Sequence, residues 1–380
     1  MTTQTTRRTP IVGLDLARFL AAFLVMLFHL AYLSWAIPDS SAGAIAGGGF
    51  AFPALTDISW FGWVGVEIFF VLSGFVISYS AGTNAFAFFR SRVLRLLPGA
   101  WASATITVLI LLVIGRDYAM NLGAVYLRTI AFVPIAPWLD GVYWTLAIEI
   151  AFYALVLALL IIGRIDRLET LLITIGTTSA AFWFSLTVLD LPLAARGSWG
   201  WRFAEIALLT DGVLFAIGGL LWLNLCRQPT ARRWWLIAAF TTVGLAKIAL
   251  HAAIEPAVLA APWRIVVPML LWLGALVLIV VAVRANGWLS RRLNPALVRT
   301  LGLATYPLYL LHTTVGAAVL LGLSGTGIAP LTALALAIAT AVAAALATAR
   351  YLEPPIRHLL DRSLAILPGT GARSPAAPAT

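Results

Sequence analysis

Apolar stretches about as long as a lipid bilayer is thick recur along this sequence, and they constrain its fold more than anything else. A hydrocarbon core calls for roughly 20 residues of helix, and with no water there to satisfy the backbone only helices or closed barrels can cross it. Ten stretches meet that length, at approximately 11–35, 58–80, 98–114, 141–163, 169–190, 204–223, 233–252, 265–283, 300–321 and 329–350. Only 11% of the residues are charged, less than half the roughly 25% of an ordinary soluble domain. The expectation is an all-α, multi-pass integral membrane protein with about ten transmembrane helices. A weaker apolar segment, 118–137, is broken by Arg128, Pro134 and Pro137. It reads as a re-entrant or interfacial helix, with an eleventh crossing as the alternative.

Basic residues mark the cytoplasmic side of a membrane protein. With the N-terminus inside, 18 of the 25 basic residues fall in cytoplasmic segments, five in outer ones, and two, Arg18 and Lys247, within spans. An eleventh crossing would invert everything after residue 137 and erase that bias. Both termini are therefore expected in the cytoplasm, with the chain in a bacterial inner (plasma) membrane. Trp35, Trp60, Trp138, Trp199 and Trp263 fall near outer ends of spans and Trp222, Trp234 and Trp288 near inner ones, as interfacial belts would. The first apolar run is too long for a signal-peptide core and lacks a small-residue cleavage site. The net charge of +10 is dispersed over short connections rather than gathered in a block, which argues against a nucleic-acid partner. The single cysteine, Cys226, excludes an intramolecular disulfide and a cysteine metal cluster, and no metal or bound cofactor is called for. Residues 1–362 read as one membrane-embedded domain and 363–380, "SLAILPGTGARSPAAPAT", as a disordered cytoplasmic tail. The stretch "GAIAGGG" at 43–49 lacks the lysine and spacing of a phosphate loop and reads as flexible linker.

Against this apolar background, ionisable residues inside the spans stand out as candidates for function. Arg18 and His29 are eleven positions apart in the first span, which puts them on one helical stripe with a rise of about 16 Å. Asp15 lies one turn from Arg18 and can pair with it. Glu67, Glu149, Asp211, Lys247 and His312 follow in later spans. A carboxylate in hydrocarbon is costly unless paired or protonated, so several such groups in one bundle imply a shared polar cavity. In "FFRSRVLRLLPGAW", Arg90, Arg92 and Arg95 precede the third span. They serve either as positive-inside anchors or as a site for a polyanion, since arginine forks match phosphate oxygens. A proton-coupled transporter using the Glu and His residues would also account for the polar cavity.

Several pieces in order resemble the acyltransferase 3 family of membrane O-acyltransferases over roughly residues 10–355: the pair Arg18/His29, "GVEIFFVLSGFVIS", Arg92 and Arg95 before Pro98, "YWTLAIEIAFY", "YPLYLLH" and "EPPIRH". The resemblance implies an acyl-CoA co-substrate, most often acetyl-CoA. Its acceptor would be a hydroxyl, on a surface or exported polysaccharide, a lipid-linked precursor, or a macrolide-like small molecule. It makes His29 the catalytic general base and gives Arg18, Arg92 and Arg95 the CoA phosphates. Glu149 could orient His29 as the carboxylate of a triad does. Asp15, Glu67, Tyr306, Tyr309 and His312 would line or support the cavity.

Overall fold

The computed structural model describes residues 11–115, 121–188 and 198–366, and among them there is no strand. Among the described residues, nine helical segments are long and apolar enough to cross a membrane. They are built on α1 (Val12–Leu27), α2 (Val64–Ser80), α3 (Ala85–Ile114), α5 (Trp144–Ile161), α6 (Leu168–Val188), α9 (Ala231–Ala252), α10 (Val266–Arg284), α11 (Pro295–Leu323) and α12 (Pro330–Ala347). Shorter helices include α4 (Leu122–Ile130), α7 (Trp199–Ile206), α8 (Gly212–Cys226) and α13 (Glu353–Ala365).

The sixth expected span, 204–223, is not one helix. It breaks between α7 and α8, where Leu208 takes a positive φ of 59° and Asp211 turns its side chain to a neighbouring helix. The 15-residue α8 is only about 22 Å long, short for a roughly 30 Å core. It is nevertheless buried along almost its whole length, wrapped by α2, α6 and α9, so protein rather than lipid shields its ends. Within 118–137 the nine-residue α4 is too short to cross, which fits the interfacial reading.

Four other expectations change. The third span starts earlier than residue 98, at Ala85, so Arg90, Arg92 and Arg95 lie on the same continuous helix as the apolar run and are held rigidly. The "GAIAGGG" stretch is ordered rather than linker-like. Ser41–Ala46 is a short helix capped by the Ser40 side chain and ended by Gly47 at φ 69°, and it packs on α11. Trp60 and Trp222 are buried, whereas Trp199, Trp234, Trp263 and Trp288 are exposed as interfacial residues would be. The tail expected from 363 is still helical to Ala365, and from 367 it lies outside the described residues.

Two apolar clusters make up the interior. One centres on α2 and α8, the other on α1, α11 and α12. The α2–α8 contact is close because both helices present glycine: a methyl group on Gly74 would strike the Phe215 carbonyl, and one on Gly218 the Val71 carbonyl. Small residues of this kind are how helices approach one another when lipid removes the hydrophobic drive to associate.

Beside that contact lies an ionic tie. Lys247 of α9 donates to Glu67 of α2 at 2.6 Å and to Asp211 at the start of α8. Thr210 donates to the other Asp211 oxygen at 2.6 Å. All three charged side chains are at most 8% exposed. Glu67, expected in a cavity, is thus a structural brace, and its cation was invisible at a separation of 180 residues. Removing the cation would take the ammonium group away from two buried carboxylates. Lys247→Met is expected to destabilise the detergent-solubilised protein by about 3–5 kcal/mol, the range for breaking a buried pair from one side. Adding Glu67→Gln and Asp211→Asn should recover most of the loss. Heat-unfolding midpoints of the wild type and both variants decide this, and an unmoved midpoint in the single variant would contradict the brace.

Candidate active site

Where the two apolar clusters meet, Val66, Phe69 and Tyr306, which pack against both, wall a cavity of about 530 Å³. One end of it is cationic. Arg18 of α1, Arg92 and Arg95 of α3, and Arg357 of α13 all line it, with the carboxylate of Glu149 from α5. From outside the cavity Asp15 pairs with Arg18 at 3.9 Å and Glu353 with Arg357 at 3.4 Å, which leaves Arg92 and Arg95 without an ion pair among the described residues. Aromatic faces hold two of these guanidinium groups in place. Arg92 stands 5.7 Å from the Tyr153 ring centre and 5.4 Å from that of Phe88, and Arg95 stands 6.0 Å from Tyr306. Cation–π contacts orient an arginine without neutralising it. Arg90, by contrast, turns away to pair with Asp361 at 2.6 Å and does not line the cavity.

Glu149 sits deeper. Its Oε1 accepts hydrogen bonds from Ser73 of α2, at 3.0 Å, and from the Tyr153 hydroxyl one turn along its own helix. The expected pairing of Glu149 with His29 is therefore corrected: the carboxylate is committed to Ser73 and Tyr153, and His29 bonds elsewhere. Through Tyr153 the carboxylate instead braces the ring on which Arg92 rests.

His29 lies just past α1, in a π-helical turn over Phe28–Leu33. Such turns widen the helix by one residue and recur at functional sites. Its Nδ1 is 2.8 Å from the Val25 carbonyl and 3.2 Å from Nε2 of His312 on α11. The two rings are 4.8 Å apart and nearly perpendicular. His312 is fully buried; its own Nδ1 is 3.0 Å from the Leu308 carbonyl. Carbonyl oxygens only accept, so both imidazoles, when neutral, carry their hydrogen on Nδ1. That leaves Nε2 of His29 with a lone pair and no hydrogen bond from any described residue. Neither histidine lines the cavity. Tyr309 joins the two regions, lining the cavity while its ring stands 6.1 Å from His312 and 5.6 Å from Phe69. Its hydroxyl is fixed against Thr145 at 3.0 Å.

Of the residues singled out from sequence, Arg18, Arg92, Arg95, Glu149, Tyr306 and Tyr309 meet around the cavity. His29 and His312 form a pair beyond Tyr309. Asp15 stays outside, 3.9 Å from Arg18, in a space that Gly302 leaves open for it. Sequence reasoning passed over Ser73, Tyr153 and Arg357. Tyr153 is four residues after Glu149, a spacing that places two side chains on one helix face, so it was within reach. Arg357 stood inside "EPPIRH" without a role, and only the packing of α13 on α3 brings it to the cavity.

No curated protein and no solved structure matches the chain. Residues 11–350 match the family described as an acyltransferase domain. That stretch covers every helix bearing the cavity and the histidine pair except α13. The chain is a membrane acyltransferase and belongs to the acyltransferase 3 family.

Proposed function

We propose that the protein moves an acyl group, acetyl in the first instance, from a cytoplasmic acyl-CoA to a hydroxyl of a carbohydrate, in a surface or exported polysaccharide or its lipid-linked precursor. The observation that carries this reading is the cavity wall itself: Arg92 and Arg95, neither of which forms an ion pair among the described residues, stand there beside Arg18 and Arg357, in a pocket large enough for the arm of a nucleotide thioester. Cations such as these two are costly to maintain in an apolar bundle without an anionic partner, and guanidinium forks suit phosphate oxygens. In this reading the arginine end faces the cytoplasm, where the charge bias of the sequence also puts it, together with both termini.

The chemistry follows from the free lone pair on His29. The acceptor hydroxyl gives its proton to Nε2 as its oxygen attacks the thioester carbonyl. The new C–O bond forms, the C–S bond breaks, and the electron pair leaves on sulfur. The proton then passes from Nε2 to the departing thiolate, giving ester and free thiol. Arg18, Arg92, Arg95 and Arg357 hold the phosphates. Glu149 keeps Tyr153, and so Arg92, in place. The acyl arm runs past Glu149 and Phe69 to Tyr309, whose ring stands 6.1 Å from that of His312, and the thioester passes Tyr309 to reach Nε2 of His29.

Thiol release from acetyl-CoA by the purified, detergent-solubilised protein, with glycan acceptors present, tests the reading. His29→Ala is expected to lower kcat by about 100- to 10,000-fold, the usual contribution of a general base. Arg92→Ala should raise the KM for acetyl-CoA about tenfold or more, the loss of one charge-assisted contact to phosphate, with little change in kcat. A wild type that neither binds nor consumes any acyl-CoA would overturn the proposal and return the polar groups to transport.

Glu149→Gln separates the two roles open to that carboxylate. Bracing Tyr153 predicts a higher KM for the donor and a kcat within about tenfold of wild type, since only a hydrogen bond to a charged group is altered. A triad role would predict a kcat loss on the order of 10,000-fold. Steady-state kinetics with acetyl-CoA as the varied substrate gives the answer.

A further inference from the structure

We propose that His312 is a positioning residue for the transfer reaction: its Nε2 lone pair faces the Nδ1–H of His29 and stabilises the imidazolium that forms there when His29 takes the acceptor's proton. The inference rests on His29 acting as the general base and deepens that reading.

The geometry assigns the hydrogens. Val25 O fixes a hydrogen on Nδ1 of His29, and Leu308 O fixes one on Nδ1 of His312. A neutral His312 then has only Nε2 left, as an acceptor. Two groups reach that lone pair, His29 Nδ1 at 3.2 Å and the Thr313 hydroxyl at 3.2 Å. In the resting enzyme the His29 hydrogen lies mainly toward Val25 O, the closer acceptor at 2.8 Å. Protonation at Nε2 turns the same N–H into part of a cation, and hydrogen bonds from ionised donors are roughly twice as strong as neutral ones. The contact with His312 is thus strengthened when charge develops on His29, which is the requirement for lowering a barrier rather than merely tightening binding. His312 neither gains nor loses a proton at any step. It supplies a lone pair in the place where a triad has a carboxylate.

Its surroundings hold it there. One turn earlier on α11, Tyr309 is anchored to Thr145 of α5. Two residues later, Thr314 donates to Asp140 at 2.9 Å. The ring is fully buried between these anchors, so its direction toward His29 is set by the bundle and not by solvent.

The test compares His312→Gln with His312→Leu in the acetyl-CoA thiol-release assay, with heat unfolding measured on each. The glutamine amide oxygen can stand where Nε2 stood; leucine fills the volume and accepts nothing. His312→Leu is expected to lower kcat about 10- to 100-fold, the scale of one hydrogen bond to a charged group, with the donor KM within about twofold. His312→Gln should keep kcat within about fivefold of wild type. Wild-type kcat in His312→Leu would overturn the inference, as would an equal fall in both variants, which would mean that ring shape rather than the lone pair matters. Should the leucine variant fail to fold, His312→Asn replaces it: its side chain is one methylene too short to reach Nδ1, so it should lose at least about tenfold more kcat than His312→Gln, and equal rates in the two would again overturn the inference. A wild type inactive with every acyl-CoA would instead remove the acyltransferase reading and this inference with it.

Discussion

A charge inside a helical bundle must find an opposite charge or give up its ionisation, and this requirement organises the molecule. Lys247 meets it twice over, drawing Glu67 and Asp211 onto one ammonium group and thereby fastening α2, α8 and α9. Asp15 and Arg18 meet it loosely, at 3.9 Å, and Arg90 meets it with Asp361 at 2.6 Å. On the cavity wall Arg357 meets it with Glu353 at 3.4 Å, but Arg92 and Arg95 do not: neither forms an ion pair among the described residues. The contrast separates braces from site. Where the charges balance the protein is held together, and where they do not a ligand is implied.

The apolar architecture decides where that imbalance falls. The glycine contact between α2 and α8 pulls one cluster tight, and α11 gathers the other against α1 and α12. The cavity occupies the seam between them. Because Arg92 and Arg95 ride on a helix continuous to Ile114, their positions are fixed by thirty residues of packing rather than by a loop. Aromatic rings from α3, α5 and α11 then set the guanidinium directions without neutralising them.

Much of this was legible in the sequence, and the failures have a common cause. Helix lengths and the breaks at Pro134 and Pro137 gave the crossings, because bilayer thickness acts on local sequence. The arginines and Glu149 stood out because a charge in an apolar run is itself a local signal. Partners across the fold left no such trace. Nothing near Glu67 in the sequence points to its lysine 180 residues away, and nothing near Glu149 points to Ser73, which occupies it in place of His29. Hydropathy makes one helix of the sixth span because it does not register a backbone turned at Leu208. The π-helical turn beneath His29 likewise has no composition of its own.

The separation of Glu149 from His29 has a physical logic of its own. A general base must rest unprotonated, and a carboxylate bonded to an imidazole favours the charged ring. In water-exposed triads, solvent moderates that effect; inside a bundle the attraction is stronger because the dielectric is lower. A neutral imidazole partner imposes no such bias on the resting ring, yet it offers a lone pair once charge appears. Placing the acid among the arginines and a second histidine beside the first therefore divides the labour. The charged groups gather where a polyanion would sit, and the proton-transfer pair stays uncharged until the substrate hydroxyl supplies its proton.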